Sequence, residues 1–161
     1  MGKCYVIVSP FYAVKEDGSL ISYVKSEKHG NYEPYRKNLE QLIDTLTDKK
    51  EIIFFVSENE PKGKIKEAIE KNENASFFEE DFKNGELHRL FDYHFKVRTE
   101  GIKQVFIAGE WVWWHGAGGL KIIEKQLREN SFKVKGIKGC VYPSKSNFRF
   151  SKFYRGLAEV L

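Results

Sequence analysis

The residues best suited to chemistry in this chain lie in one stretch, FIAGEWVWWHGAGGLKIIEKQL, residues 106–127. His115 is the strongest candidate for a catalytic residue, because a helix N-terminus disfavours the protonated imidazole and leaves a neutral base. Glu110 is its candidate catalytic partner. The alternative interpretation of this pair is structural: a hydrogen-bonded histidine in a turn and a solvated carboxylate. The stretch therefore predicts a general base without fixing a reaction.

The same stretch contains all three tryptophans of the chain and four of its 13 glycines, three of them in HGAGG. The tryptophans would either form walls for a flat ligand or pack in the core or at a subunit interface. Gly116, Gly118 and Gly119 would let a ligand approach the backbone where a helix N-terminus favours an anion. Their spacing matches neither the dinucleotide-binding nor the P-loop pattern, so a tight strand-to-helix turn is an equal alternative.

The cysteines and the other histidines do not predict a metal site. Cys4 and Cys140 both fall in apolar, strand-like runs and have no Cys or His at a zinc spacing. We expect both to be buried core residues rather than nucleophiles. His88 and His94 are too far apart to form an i, i+4 metal pair on a helix. We expect no metal and no cofactor.

The elements that must position these residues alternate between strands and helices. Unbroken apolar runs predict strands in KCYVIVSP, EIIFFVSEN, KQVFIAG and FKVKGIKGCVYP. Helical spacing is clearest for Leu39, Leu42, Ile43 and Leu46, and residues 76–101 also read as helical up to a stop at Gly101. The predicted fold is a single α/β domain over residues 1–161. It is a three-layer, doubly wound, Rossmann-like fold with a mostly parallel sheet and helices on both faces. Residues 11–33 would be a surface excursion or lid, and residues 148–161 a C-terminal docking helix.

In such sheets, ligands bind outside the carboxyl ends of the strands. This rule places the predicted pocket beside His115 and Glu110. Besides that catalytic pair, the predicted ligand-binding residues are Ser9, Glu58, Trp111, Trp114, Gly116, Gly118 and Gly119.

The order of elements, together with YVIVSP, EDGSL, DFKNGEL and the whole run VFIAGEWVWWHGAGGLKIIEKQLRENSFKV, resembles the isochorismatase-like cysteine hydrolases. The resemblance spans most of residues 3–142. It implies a three-layer fold, frequent oligomerisation and a pocket between strand ends. The family carries an Asp, a Lys and a Cys where this chain has Ser9, about Ser76, and His115. Because all three catalytic identities differ, the resemblance does not extend to thiolate chemistry.

Three functions remain open on the sequence. The first is small-molecule binding at the strand ends, with or without hydrolysis. The second is binding of nucleic acid or an acidic partner by the basic, aromatic C-terminal segment, since residues 131–161 hold seven Lys or Arg and one acid. Its candidate contacts are Lys145, Arg149, Lys152 and Arg155. The third is a homo-oligomeric scaffold joined through the tryptophans. The composition indicates a cytoplasmic protein without a membrane partner.

Overall fold

A computed structural model describes residues 2–20, 32–57, 60–80, 93–110, 113–114 and 117–142. The strands are β1 (Lys3–Val8), β2 (Ile53–Ser57), β3 (Ala75–Glu79), β4 (Gln104–Glu110), β5 (Trp113–Trp114), β6 (Ala117–Gly118) and β7 (Lys133–Tyr142). The helices are α1 (Tyr32–Asp48), α2 (Gly63–Lys71), α3 (Tyr93–Arg98) and α4 (Gly119–Glu129).

Five of the strands form one sheet in the order β3-β2-β1-β4-β7. Each neighbouring pair is parallel, so the predicted α/β fold with a parallel sheet is confirmed. Since β7 is the fifth strand of this sheet along the chain, the order is the 3-2-1-4-5 order of doubly wound nucleotide-binding folds. In these folds successive strands are added first on one side of the first strand and then on its other side. The change of side falls between β1 and β4, and the carboxyl ends of these two strands consequently define the crevice where such folds bind ligands.

Alternate side chains of the central strand β1 belong to two separate core clusters. Cys4, Val6 and Val8 share one cluster with residues of α3 and α4. Tyr5 and Ile7 share the other cluster with residues of α1 and α2. Because successive side chains of a strand point to opposite faces, helices packed on both faces of the sheet would produce this division.

Helix α1 is the best predicted element. Its four leucine and isoleucine positions at helical spacing are all buried, with at most 2% of each residue exposed. The helix begins at Tyr32, inside the segment predicted to be a surface excursion, and Tyr32 is itself buried. At the other end of that segment, Ala13 is also buried, whereas the turn carrying Asp17 and Gly18 is exposed. The described part of this segment therefore combines buried residues with an exposed turn, and the surface excursion or lid stays a prediction.

The region predicted to be one helical block begins with a strand instead. Residues Ala75–Glu79 form β3, which pairs with β2 at one edge of the sheet. The reason is the turn before it, where the side chain of Asn72 accepts a hydrogen bond from the Asn74 N–H at 2.9 Å. The Asn74 carbonyl then accepts from the Ile53 N–H at 3.2 Å, which aligns the chain with β2. The predicted stop at Gly101 agrees with its φ of +80°.

Both cysteines are free and fully buried, as predicted. Burial raises the pKa of the Cys4 and Cys140 thiols to about 12, so neither supplies a thiolate nucleophile at neutral pH.

Within the described ranges, no helix combines the length and the apolar composition that crossing a bilayer requires.

Candidate functional site

The carboxyl ends of β1 and β4 meet at the centre of the sheet. Val8 pairs with Gly109 in the parallel register, so Ser9 and Glu110 are the next residues on the two neighbouring strands. The strands approach closely here: a Cβ atom on Gly109 would lie 1.9 Å from the Val8 carbonyl oxygen. Gly109 has a φ of +122°, which favours glycine for a second, independent reason. This close contact between the strands holds the backbone at Glu110 in a fixed position.

Glu110 is completely buried at this crevice, with 0% of the residue exposed. Its Oε2 accepts a hydrogen bond from the Tyr32 hydroxyl at 2.5 Å and a second from the backbone N–H of Ala13 at 3.3 Å. Its Oε1 is also buried, and none of the described residues forms a hydrogen bond with it. A buried polar atom without a partner is costly, and in a native structure it often marks a position where a ligand or water is bound.

Burial raises the pKa of the Glu110 carboxyl from 4.5 to about 8. The Tyr32 hydroxyl and the backbone N–H groups of Ala13 and Tyr12 lower the pKa, but they do not offset the loss of solvation. Glu110 is consequently a neutral carboxylic acid at pH 7. A neutral acid in an apolar site can donate a hydrogen bond or a proton, which a solvated glutamate cannot do.

Three tyrosines pack against one another and form what we call the tyrosine cluster: Tyr32, whose hydroxyl donates to Glu110, Tyr35 and Tyr142. Their ring centroids lie 4.9 to 5.5 Å apart, and each residue is at most 2% exposed. The Tyr35 hydroxyl donates to the Pro10 carbonyl oxygen at 2.5 Å, which ties α1 to the turn after β1. Burial, with a smaller contribution from Glu110, raises the pKa of Tyr142. The cluster thus removes water from the carboxyl and supplies its principal donor.

Two of the predicted site residues lie at this crevice. Ser9 is buried, its φ is +42°, and its N–H donates to the Val56 carbonyl oxygen at 2.7 Å. Glu110 is at the predicted position, but the alternative that it is a solvated carboxylate is wrong. Phe106, Ala108 and Glu110 alternate along β4, so the Glu110 side chain follows theirs toward the face covered by α1.

The described part of the glycine-rich connection contains a short antiparallel ribbon. Residues 113–114 pair antiparallel with residues 117–118, and α4 begins at Gly119. Trp114 and Gly118 thus belong to a small ribbon that precedes the helix.

The remaining predicted site residues lie outside the described residues: Glu58, Trp111, His115, Gly116, Lys145, Arg149, Lys152 and Arg155. The C-terminal docking helix, residues 148–161, lies outside them as well. Catalysis by His115, nucleic-acid binding and oligomerisation through the tryptophans therefore stay predictions.

The sequence interpretation missed the tyrosine cluster, although a signal for it exists. Tyr32 and Tyr35 are one helical turn apart at the start of α1, and Tyr142 ends the last strand of the sheet. The carboxyl end of a parallel strand and the start of a helix that follows another such strand lie at the same edge of the sheet. The aromatic residue that ends β7 and the aromatic pair that begins α1 therefore lie at the same edge. That placement predicts contact between them, but not which group they enclose.

Other polar groupings in the described part of the chain do not form a comparable site. A groove between α1 and α2 contains Asp44 and Glu67, but each carboxylate is already paired with a lysine of α2, at 2.7 and 3.0 Å respectively. On the opposite face, Ser76 Oγ lies 3.1 Å from His94 Nε2 in an exposed position. No group of three or more His, Cys, Asp or Glu suited to a metal ion occurs among the described residues.

Comparisons with protein-family models, with curated proteins and with solved structures find no match to this chain.

Proposed function

We propose that this chain binds a small molecule in the crevice between the carboxyl ends of β1 and β4, with Glu110 as the group that exchanges a hydrogen bond or a proton with it. The observation that carries the proposal is the buried Oε1 of Glu110, which has no hydrogen-bond partner in the described part of the chain, whereas Oε2 accepts from Tyr32 and Ala13. Strand order makes this crevice the expected ligand site of the fold.

The chemistry open to Glu110 is general acid or base catalysis, since both protonation states are accessible near neutral pH. His115, on the connection that follows β4, stays a predicted second proton-transfer group. A relationship to the isochorismatase-like hydrolases would fit a pocket at the strand ends. Because this chain has His115 where that family carries its cysteine, any hydrolysis would proceed by activation of water rather than through a thioester.

We also propose a cytoplasmic location for this activity. Both cysteines are reduced and buried in the core, as is usual for proteins of a reducing compartment.

The binding proposal is tested by measuring the melting temperature of the protein in the presence of small carboxamides. Each carboxamide is compared with the carboxylate and the amine of the same carbon skeleton, for example benzamide with benzoate and benzylamine. A ligand that binds only the folded protein raises its melting temperature. Near pH 6, where Glu110 is neutral, we expect at least one carboxamide to stabilise the wild-type protein, because its carbonyl oxygen accepts from the acid.

Two substitutions at one position provide the control. Glu110→Gln keeps a donor in place of Oε1 and should retain carboxamide binding, while Glu110→Leu removes the donor and should abolish it. His115→Ala in the same assay tests whether the histidine contributes to binding. A panel without any stabilising member, or equal stabilisation of wild type and the Leu variant, would contradict the proposal.

A further inference from the structure

We infer that Tyr32 and the Ala13 N–H are positioning groups that fix the proton of Glu110 on Oε1, so that the site recognises an uncharged ligand through a carbonyl oxygen. This inference rests on the proposed function for its ligand, but the position of the proton is a property of the protein alone. It assigns different tasks to the two oxygens of one carboxyl group.

The two hydrogen bonds to Oε2 give the first step. A backbone N–H can only donate, so Oε2 must present a lone pair to Ala13. The Tyr32 hydroxyl donates to the same oxygen over 2.5 Å. An oxygen that accepts from two converging donors acts as the carbonyl oxygen of the acid, and the proton therefore resides on Oε1.

The surroundings of the carboxyl give the second step. In the described part of the chain, the titratable side chains shown to interact with it are two phenols, Tyr32 on α1 and Tyr142 on β7. Among the described residues no lysine or arginine contributes to the electrostatics of Glu110. Since the described residues supply no countercharge, they disfavour a carboxylate ligand, and a neutral acceptor is the group that suits a neutral donor.

A ligand carbonyl would complete the set of hydrogen bonds. Oε1 is buried and has no partner among residues 2–20, 32–57, 60–80, 93–110, 113–114 and 117–142. A ligand acceptor placed against it would accept the hydrogen bond of its O–H without any transfer of charge. The ligand class is consequently an uncharged carbonyl compound, such as a carboxamide or a ketone. An amine would instead take the proton from Glu110 and form an ion pair, so its binding would strengthen rather than weaken as Glu110 ionises.

Infrared spectroscopy tests the position of the proton without any ligand. The C=O stretch of Glu110 is identified as the carboxylic-acid band that disappears in Glu110→Gln. In Tyr32→Phe, Oε2 loses its stronger donor, so we expect the band to move to higher frequency. We also expect the pH midpoint at which the band disappears to rise, because the Tyr32 hydrogen bond lowers the pKa of Glu110.

Tyr35→Phe is the matched control. Its hydroxyl also belongs to the tyrosine cluster but donates to Pro10 rather than to Glu110, so its removal should leave the band nearly unchanged. The inference is overturned if Tyr32→Phe shifts neither frequency nor midpoint, or if Tyr35→Phe shifts both equally.

A second measurement keeps the test independent of how well Tyr32→Phe folds. Incorporating 3-fluorotyrosine in place of tyrosine makes every phenol a stronger donor without removing one. We expect the Glu110 band to move to lower frequency and its pH midpoint to fall; an unchanged band would count against the inference. If the infrared results hold but no carboxamide binds, the proton assignment stands and the proposed function fails.

Discussion

Replacing Gly109 with alanine is expected to remove at least about 3 kcal/mol from the free energy of unfolding. The added Cβ would lie 1.9 Å from the Val8 carbonyl oxygen and 2.8 Å from the Val8 backbone nitrogen and carbonyl carbon. These are backbone atoms of the central strand, so they cannot rotate away as a side chain can. Relief of the clash requires β1 and β4 to separate where they are paired. Urea denaturation, with the midpoint and slope compared between variants, measures the loss.

Gly18→Ala is the control for this prediction. Gly18 also has a positive φ, +85°, but an added Cβ would meet no atom within 4 Å. Its substitution therefore isolates the backbone strain, which is about 1 kcal/mol. The excess loss in Gly109→Ala measures the close approach of the strands together with the additional strain of its φ of +122°. Equal losses would show that the strands separate easily and that the crevice is not rigid.

Glu110→Gln is expected to stabilise the protein at alkaline pH and to have little effect near pH 4. The folded-state pKa of Glu110, about 8, lies above its value of 4.5 in the unfolded chain. Between these values the folded protein retains a proton that the unfolded chain has released, so stability falls as pH rises through this window. One pKa unit corresponds to 1.36 kcal/mol, so the shift from 4.5 to about 8 gives a loss on the order of 5 kcal/mol by about pH 9. The amide cannot ionise and avoids this loss.

Chemical denaturation at intervals from pH 4 to pH 9 measures this difference. Glu100→Gln is the matched control, because Glu100 is exposed in the turn after α3. This variant should follow the wild-type profile throughout. If Glu110→Gln and wild type keep a constant difference across the whole range, Glu110 is not neutral in the folded protein.

The sequence predicts the parallel sheet because each of its buried strands is marked by a local run of apolar residues. Apolar runs such as those around Val6 and Phe54 need no knowledge of their neighbours to be identified as buried strands. The position of Glu110 at a strand end is predicted in the same way, because Glu110 is the polar residue that ends the apolar run of β4. In contrast, β3 is short and lies at the edge of the sheet, so its two phenylalanines were assigned to the helical region that follows.

What the sequence does not predict is the state of Glu110. Its partner Tyr32 is 78 residues away and the Ala13 N–H is 97 residues away. No periodicity connects positions at such separations, and the residue type alone suggested a solvated carboxylate. Among the described residues, those of α1 and of the turn after β1 pack over the strand end, remove the water and make the carboxyl a neutral acid.

The central position of β1 also affects how the chain can fold while it is being synthesised. Its partner on one side, β2, follows within the first 57 residues, whereas its partner on the other side ends at residue 110. During synthesis the growing chain therefore has a hydrophobic strand with one unpaired edge until β4 has emerged. An open edge of this kind pairs readily with other chains. We expect the nascent protein to be most prone to aggregate, and most dependent on chaperones, between completion of β2 and completion of β4.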